Sequence, residues 1–379
     1  MSREIKILSL CFFVIFLAYN GVQQFLTAYF SDLGMVKTGF WSLILIYSSL
    51  LVANFFSGFI VAKFGVKKCL VVGSLLYPLF IFVLIFKIVP LIYLASVLLG
   101  FGASILWTAQ ATALIRLSNP HDYGKNSGFF SVVLQLGSAL GIIIFSFFVV
   151  KLSFSFSFAI FGVCALIGTV ILLILKKTES KTVGLGDSLR SFKKIFKSPT
   201  ALKFFGVWFS FSLVIALTTG QFPMEAEKYF GLGSIGLLTP VFYFLPVVFS
   251  YFVGKKSDER GRKIFLTASY VFALMGLSLF AVQIYFNLDK LFFVLSFFLI
   301  SLGFATYAPL RYALIGDISR GDNLEHLAAF SSLASNLGYV VVFLMNLYLP
   351  AILSYSIPFL IALASLIIIR PMLKLTYER

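Results

Sequence analysis

The chain has 379 residues, of which 60% are hydrophobic and only 12% charged, and its mean hydropathy is +1.03. A soluble domain carries charge on roughly a quarter of its residues, so this composition excludes a soluble globular protein. The formal net charge of +16 would suit a nucleic-acid partner, but the placement of the basic residues along the chain argues against one.

Long apolar stretches dominate the chain, and each membrane-spanning helix needs about 20 apolar residues. Alternation of the β-barrel kind is absent, so the predicted fold class is an all-α polytopic membrane protein. The first stretch follows two basic residues as in a signal peptide, but it is too long for one, and we expect it to be retained. The twelve predicted spans are residues 5–30, 40–62, 69–86, 89–115, 126–150, 154–175, 201–222, 234–254, 264–286, 291–315, 327–349 and 352–369.

The basic residues fall unevenly on the two predicted sides of the membrane. If both termini are cytoplasmic, 25 of the 30 Lys and Arg residues lie in cytoplasmic segments and 5 lie outside. This asymmetry follows the positive-inside rule, and it predicts a multi-pass cell-membrane protein with cytoplasmic N- and C-termini. Orientation thus accounts for the basic excess, so no nucleic-acid partner is expected.

A polar stretch divides the chain into a predicted six-helix bundle at 1–175, a basic linker at 176–200 and a second six-helix bundle at 201–379. Within the linker, apolar residues recur at helical spacing between basic ones. Residues 189–197 are therefore expected to form an amphipathic helix on anionic lipid headgroups, with a mobile linker as the alternative. The apolar residues are Leu189, Phe192, Ile195 and Phe196, and the basic ones are Arg190, Lys193, Lys194 and Lys197.

The two halves resemble each other at an offset near 200 residues. "GFIVAKFGVKK" at 58–68 corresponds to "GKKSDERGRK" at 254–263, and "ALI" occurs at both 113–115 and 313–315. "FSVVLQLG" at 130–137 corresponds to "FSSLASNLG" at 330–338. Because these matches keep their register, they indicate a duplicated unit, which is how many secondary transporters are built.

The second copy of the first motif combines glycines for a tight turn, an acid that can cap a helix and basic residues that hold the loop inside. It resembles the signature of the major facilitator superfamily, which implies a cytoplasmic gate that latches the two halves of that fold. The motif residues are Gly254, Asp258, Gly261, Arg262 and Lys263 in the C-terminal half, and Gly58, Gly65, Lys67 and Lys68 in the N-terminal half. Ala62 replaces the acid in the N-terminal copy, so a latch of the usual kind is not expected there.

Three stretches of the N-terminal half narrow the resemblance. "AYNGVQ" at 18–23, "LGFGASILWTAQATAL" at 99–114 and "GKNSGFFSVVLQLG" at 124–137 resemble the first, fourth and fifth helices of the uncoordinated-type (UNC) branch. Animal members of that branch include a potassium-channel subunit and a receptor-trafficking chaperone. The branch therefore implies a fold more than a reaction.

Polar residues within the spans are candidates for a substrate cavity. Asn20, Gln23 and Gln24 share one helix face, and such groups usually face a bundle interior. The superfamily resemblance implies that the first, fourth, seventh and tenth spans line a central cavity. The predicted cavity residues are Asn20, Gln23, Gln24, Trp107, Gln110, Gln221, Tyr307 and Arg311.

Each of these predictions has a structural alternative. The Trp107 ring can serve packing alone, and Arg311 can extend its charge to the nearby cytoplasmic end of its helix. Gln135 and Asn336 occupy equivalent positions in the two repeats beside small residues, so they are expected to join helices rather than bind a solute. His326 lies at a loop end and is expected to be solvated.

None of the 14 acidic residues falls at mid-membrane, which disfavours proton coupling through a buried carboxylate. The sequence also offers no nucleophile with a positioned base, no phosphate-binding loop and no metal-ligand spacing, so no enzyme, cofactor or metal is expected. We predict a monomeric transporter that moves a small neutral, amphiphilic or anionic solute by alternating access. The alternative is a non-transporting membrane scaffold or ion-channel regulatory subunit of the same fold, which would act through a membrane-protein partner.

Overall fold

The computed structural model describes residues 1–176, 185–230, 235–286, 288–319 and 323–372, and every regular element in these ranges is helical. Two single 3-10 turns, Pro120–Asp122 and Leu172–Ile174, accompany the α-helices. The helices are α1 (Arg3–Asp32), α2 (Val36–Phe64), α3 (Val66–Phe86), α4 (Val89–Arg116), α5 (Tyr123–Lys151), α6 (Phe154–Ile171), α7 (Leu185–Lys197), α8 (Pro199–Phe230), α9 (Ile235–Arg260), α10 (Arg262–Phe286), α11 (Lys290–Ile318), α12 (Leu324–Tyr348) and α13 (Ala351–Met372).

Eleven helical segments of the described ranges are long and apolar enough to cross a membrane. The twelfth predicted span corresponds to α13, whose described apolar part, Leu353–Ile367, is shorter. Large apolar side chains remain exposed along these helices, as at Phe252 and Ile367. Lipid tails rather than water would cover such surfaces, and the chain is a multi-pass membrane protein.

Both copies of the repeated motif make the same turn between two helices. Gly65 separates α2 from α3 with φ at +84°, and Gly261 separates α9 from α10 with φ at +88°. Backbone of this kind favours glycine, because a side chain would clash there. Each glycine N–H closes the preceding helix at 3.0 Å, on the carbonyls of Val61 and Ser257 respectively.

Contacts group the chain into two compact units. Unit 1 contains residues 1–117, 133–194 and 320–333, and unit 2 contains residues 118–132, 195–319 and 334–379. Most of each predicted half falls in one unit. The exceptions are residues 123–132 of α5 and 324–333 of α12, which group with residues of the opposite half. The predicted boundaries at 175 and 201 follow sequence order, which does not reveal these two exchanged segments.

Serine hydroxyls join the helices of unit 2 where prolines interrupt them. Pro309 cannot donate to the carbonyl of Ala305 in α11, and Ser250 of α9 donates to that carbonyl at 3.1 Å. Pro246 likewise cannot donate to the carbonyl of Phe242 in α9, and Ser301 of α11 donates to it at 2.6 Å. Each helix thus satisfies a carbonyl of the other, as a membrane interior requires.

Gln135 and Asn336 remain predicted packing residues, and the glycines next to them fit that role. A Cβ atom on Gly137 would lie 2.5 Å from the carbonyl oxygen of Phe13, so α5 and α1 approach closely within unit 1. A Cβ atom on Gly338 would lie 2.9 Å from the carbonyl oxygen of Phe209 on α8 in unit 2. Both repeats therefore bring backbones together one turn or less from the carboxamide.

The basic linker contains the helix α7, while residues 177–184 and the side chain of Leu189 lie outside the described residues. Phe192 is buried within unit 1, where its ring centroid lies 5.9 Å from that of Phe55 and 6.1 Å from that of Phe330. Lys193 and Lys194 are exposed. The helix thus has an apolar side that packs on protein and a basic side, and binding of anionic lipid stays a prediction.

Candidate functional site

The carboxamides of α1 make hydrogen bonds to neighbouring helices of unit 1. Asn20 donates through Nδ2 to the hydroxyl of Ser138 on α5 at 2.7 Å. Gln23 donates through Nε2 to the hydroxyl of Tyr47 on α2 at 3.0 Å. Gln24 is half-buried and also has an interaction partner. Asn20 and Gln23 therefore link helices, and their role in a cavity stays a prediction.

Trp107 belongs to an aromatic cluster that joins α1, α3 and α4. Its ring centroid lies 4.9 Å from that of Phe16 and 5.5 Å from that of Phe12. Tyr77 meets Phe16 at 5.4 Å and Tyr19 at 4.8 Å, both edge to face. Aromatic pairs of this geometry add to the stability of packing beyond their buried area. The half-buried Trp107 is thus held in a defined orientation.

Gln110 differs from the other buried polar residues described on α4. Ser104 donates to Asn54 at 2.7 Å, and Thr108 shares a hydrogen bond with Ser57 at 2.8 Å, so both join α4 to α2. Gln110 is fully buried, yet neither its Oε1 nor its Nε2 atom has a hydrogen-bond partner. An unmet buried polar group costs about 1–3 kcal/mol. The carboxamide is therefore suited to pair with a bound solute.

Tyr307 and Arg311 place two donors on one face of α11 in unit 2. The Tyr307 ring stacks on Phe211 with centroids 3.9 Å apart, and its buried hydroxyl has no hydrogen-bond partner. Arg311 lies one turn later, and its Nε atom is also buried without a partner. Its guanidinium carbon lies 5.5 Å from the centroid of the Tyr312 ring. The remaining predicted cavity residue, Gln221, has its side chain outside the described residues.

The gate motif of the C-terminal half forms a buried charge network in unit 2. Asp258 accepts the backbone N–H groups of Gly124 at 2.9 Å and Lys125 at 2.7 Å, so its carboxylate caps the first turn of α5. Arg262 lies 2.5 Å from the Asp258 carboxylate and 2.9 Å from that of Asp317. This arrangement ties α5, α9, α10 and α11 together at one end.

The close approach of α9 to the start of α5 depends on glycine at Gly254 and Gly124. A Cβ atom on Gly254 of α9 would lie 2.8 Å from the carbonyl carbon of Gly124, a distance that real Cβ atoms essentially never show. In the N-terminal copy, a Cβ atom on Gly58 of α2 would lie 3.0 Å from the Cα atom of His326 on α12. The motif glycines of both repeats thus meet the start of a helix from the opposite half of the sequence.

The N-terminal copy uses a different ion pair, which was not among the residues predicted from the sequence. Glu325 in the first turn of α12 is buried and pairs with Arg116 at the end of α4, within unit 1. Ala62 is buried beside the motif, and Lys67 donates instead to the carbonyl of Leu173 at 2.7 Å. The sequence repeat does point to Glu325. This residue aligns with Lys125, whose backbone N–H group contacts Asp258 in the charge network of the C-terminal copy.

Three other charged or titratable residues lie near these turns: Lys68, Lys263 and His326. His326 is buried, so the expectation that it is solvated was wrong, because α12 begins before it and packs its first turn against α2. Lys68 is exposed and Lys263 is half-buried, which leaves both basic groups at the helix ends where the motif predicts them.

The sequence model of the Major Facilitator Superfamily matches residues 8–234 and 213–377. The chain belongs to the Major Facilitator Superfamily. The predicted membership and the predicted all-α fold are confirmed, and a solved structure of the proton:xylose symporter XylE has the same fold. That superposition has a TM-score of 0.77 at 12% identity and covers 96% of this chain and 94% of XylE. At this identity the likeness shows the fold alone.

Sequence relatives place this Major Facilitator Superfamily protein near the UNC93 branch. It is 35% identical to UNC93-like protein 3 of Arabidopsis thaliana over 133 residues, which is 34% of this chain and 27% of the relative. It is 30% identical to UNC93-like protein MFSD11 of Xenopus tropicalis over 186 residues, which is 47% of this chain and 42% of the relative. The match thus spans less than half the length of either relative.

Proposed function

We propose that this superfamily member is a secondary transporter that moves a small neutral, amphiphilic or anionic solute by alternating access. It would act in the cell membrane with both termini cytoplasmic. Membership of the superfamily supports transport as a class of activity. The observation that carries the proposal is the fully buried carboxamide of Gln110, whose donor and acceptor atoms both lack a protein partner.

The surroundings of Gln110 fit a solute that has both polar and apolar parts. A carboxamide offers one acceptor and two donor hydrogens, so it can pair with hydroxyl, amide or carboxylate groups. Trp107 lies three residues earlier on the same helix and belongs to the aromatic cluster with Phe16. Residues three positions apart lie on the same face of a helix, so one solute could contact both side chains. A purely structural glutamine would instead be bonded to another helix, as Ser104 and Thr108 are.

Two steps test this proposal. A thermal-unfolding screen of the purified protein in detergent, against sugars, nucleosides, amino acids and organic anions, identifies ligands of the folded state. Each ligand found is then radiolabelled and followed into proteoliposomes. We expect saturable uptake that falls at least tenfold in Gln110→Met and persists in Gln135→Met, a matched change at a predicted packing position.

Two outcomes would contradict the proposal. Uptake that is equal in both variants would remove Gln110 from the transport path. Folded protein that takes up no ligand, but binds a defined membrane protein during purification, would favour the scaffold or channel-regulating alternative.

A further inference from the structure

Building on the proposed function, we infer that Tyr307 and Arg311 of α11 form the binding site for the carboxylate group of a small aromatic acid. The two residues are four positions apart, so their side chains share one helix face. Both present hydrogen-bond donors there, and the structure leaves the Tyr307 hydroxyl and the Arg311 Nε atom buried without partners. Two adjacent unsatisfied donors are suited to an acceptor that carries negative charge.

Arg311 differs from Arg116 and Arg262 in its lack of a paired carboxylate among the described residues. Arg262 has the carboxylates of Asp258 and Asp317, and Arg116 has Glu325. Within the described ranges, no carboxylate lies within 4.0 Å of the Arg311 guanidinium. Arg311 is half-buried and its Nε atom is fully enclosed, so an anionic ligand would supply the counter-ion that the described residues do not.

Arg311 contributes one positive charge to this site among the described residues, and one charge favours a monoanion. A guanidinium group binds a carboxylate through two parallel N–H donors, and the Tyr307 hydroxyl adds a third donor to the same group. Aromatic rings border these donors, because Phe211 stacks on Tyr307 at 3.9 Å and Tyr312 lies 5.5 Å from the Arg311 guanidinium carbon. Rings in these positions would contact a flat apolar body joined to the carboxylate.

The test compares probes of one shape and different charge. Benzoate, benzamide, benzylamine and phenyl phosphate are titrated against the purified full-length protein in thermal unfolding, and benzoate and benzamide uptake is measured in proteoliposomes. We expect benzoate to bind at least tenfold more tightly than benzamide and phenyl phosphate, with no saturable shift by benzylamine. Arg311→Gln should abolish the preference for benzoate, and Tyr307→Phe should weaken benzoate binding several-fold while it leaves the ring stack intact.

Matched controls separate this site from general effects of charge and ring chemistry. Arg260→Gln removes an exposed arginine, and Tyr285→Phe removes the hydroxyl of a tyrosine that is 72% exposed. Neither change should alter benzoate binding. If Arg311→Gln fails to fold, Arg311→Lys keeps the charge but loses the forked donors, and it should weaken benzoate binding without affecting benzamide.

The outcomes distinguish this inference from the proposed function. Equal binding of benzoate and benzamide, no benzoate shift, or an unchanged preference in Arg311→Gln would overturn the inference, even where a neutral solute is transported. Tighter binding of phenyl phosphate would also overturn it and point to a phosphate ligand. Benzoate binding without uptake of any solute would instead leave the site standing and defeat the transporter proposal.

Discussion

Replacement of Gln110 by methionine should make the free protein more stable. The side chain is fully buried, and neither carboxamide atom has a hydrogen-bond partner. Each unmet group costs about 1–3 kcal/mol, and methionine fills a similar volume without polar atoms. The sum of both atoms is an upper bound, because the surroundings relax. We therefore expect a gain of about 1–3 kcal/mol, or at least about 2 °C in the unfolding temperature.

Thermal unfolding in detergent measures this change, and Asn20→Leu provides the contrast. Asn20 donates to Ser138 at 2.7 Å, so its replacement should lower stability by about 0.6–2 kcal/mol, the range for hydrogen bonds between membrane helices. If Gln110→Met lowers stability as Asn20→Leu does, then the Gln110 carboxamide has a partner in the folded protein. A solute-binding role for Gln110 would then lose its basis, because its carboxamide would already be satisfied.

Three further predictions concern the joints between helices, and thermal unfolding measures each of them. Asp258→Asn should cost about 1.5–3 kcal/mol, because it removes one of the two carboxylates paired with Arg262 and weakens the cap of α5. Arg116→Met should cost about 3–5 kcal/mol, because it leaves the buried Glu325 carboxylate unpaired, whereas the double change with Glu325→Met should recover most of it. Ser301→Ala should cost about 1–3 kcal/mol, because it leaves the Phe242 carbonyl without a donor.

Matched changes control these measurements. Glu259→Gln alters an exposed carboxylate one residue from Asp258 and should change stability by less than about 0.5 kcal/mol. Ser296→Ala removes a hydroxyl that bonds only within α11, to Phe293 at 2.7 Å, and should be nearly neutral. A double variant at Arg116 and Glu325 that is less stable than either single variant would show that the pair itself stabilises the fold.

The sequence predicted the helices well because membrane insertion is governed by local hydropathy and length. The turns at Gly65 and Gly261 were also predictable, since glycine spacing and repeat register mark them. The partners of polar side chains were not. Asn20 could equally have faced a cavity or Ser138, because helical periodicity gives a face but not the helix that meets it.

Residues distant in sequence were the hardest to predict. The Arg116–Glu325 pair joins residues 209 positions apart, and neither lies in a recognisable motif. The sequence showed that the N-terminal copy lacks its acid but did not identify the acid that replaces it. An alignment of the two repeats would have matched Glu325 with Lys125. The environment of Gln110 was also beyond reach, because whether a carboxamide is satisfied depends on every atom around it.

The unlike ion pairs of the two repeats favour assembly of an N-terminal half with a C-terminal half. In a protein built from two copies of the N-terminal half, Arg116 would meet the residue that replaces Glu325, which is Lys125, and like charges would repel. In one built from two C-terminal halves, Asp258 would meet the helix start that carries Glu325 in place of Lys125. The two halves therefore carry charges that suit each other better than a second copy of either half.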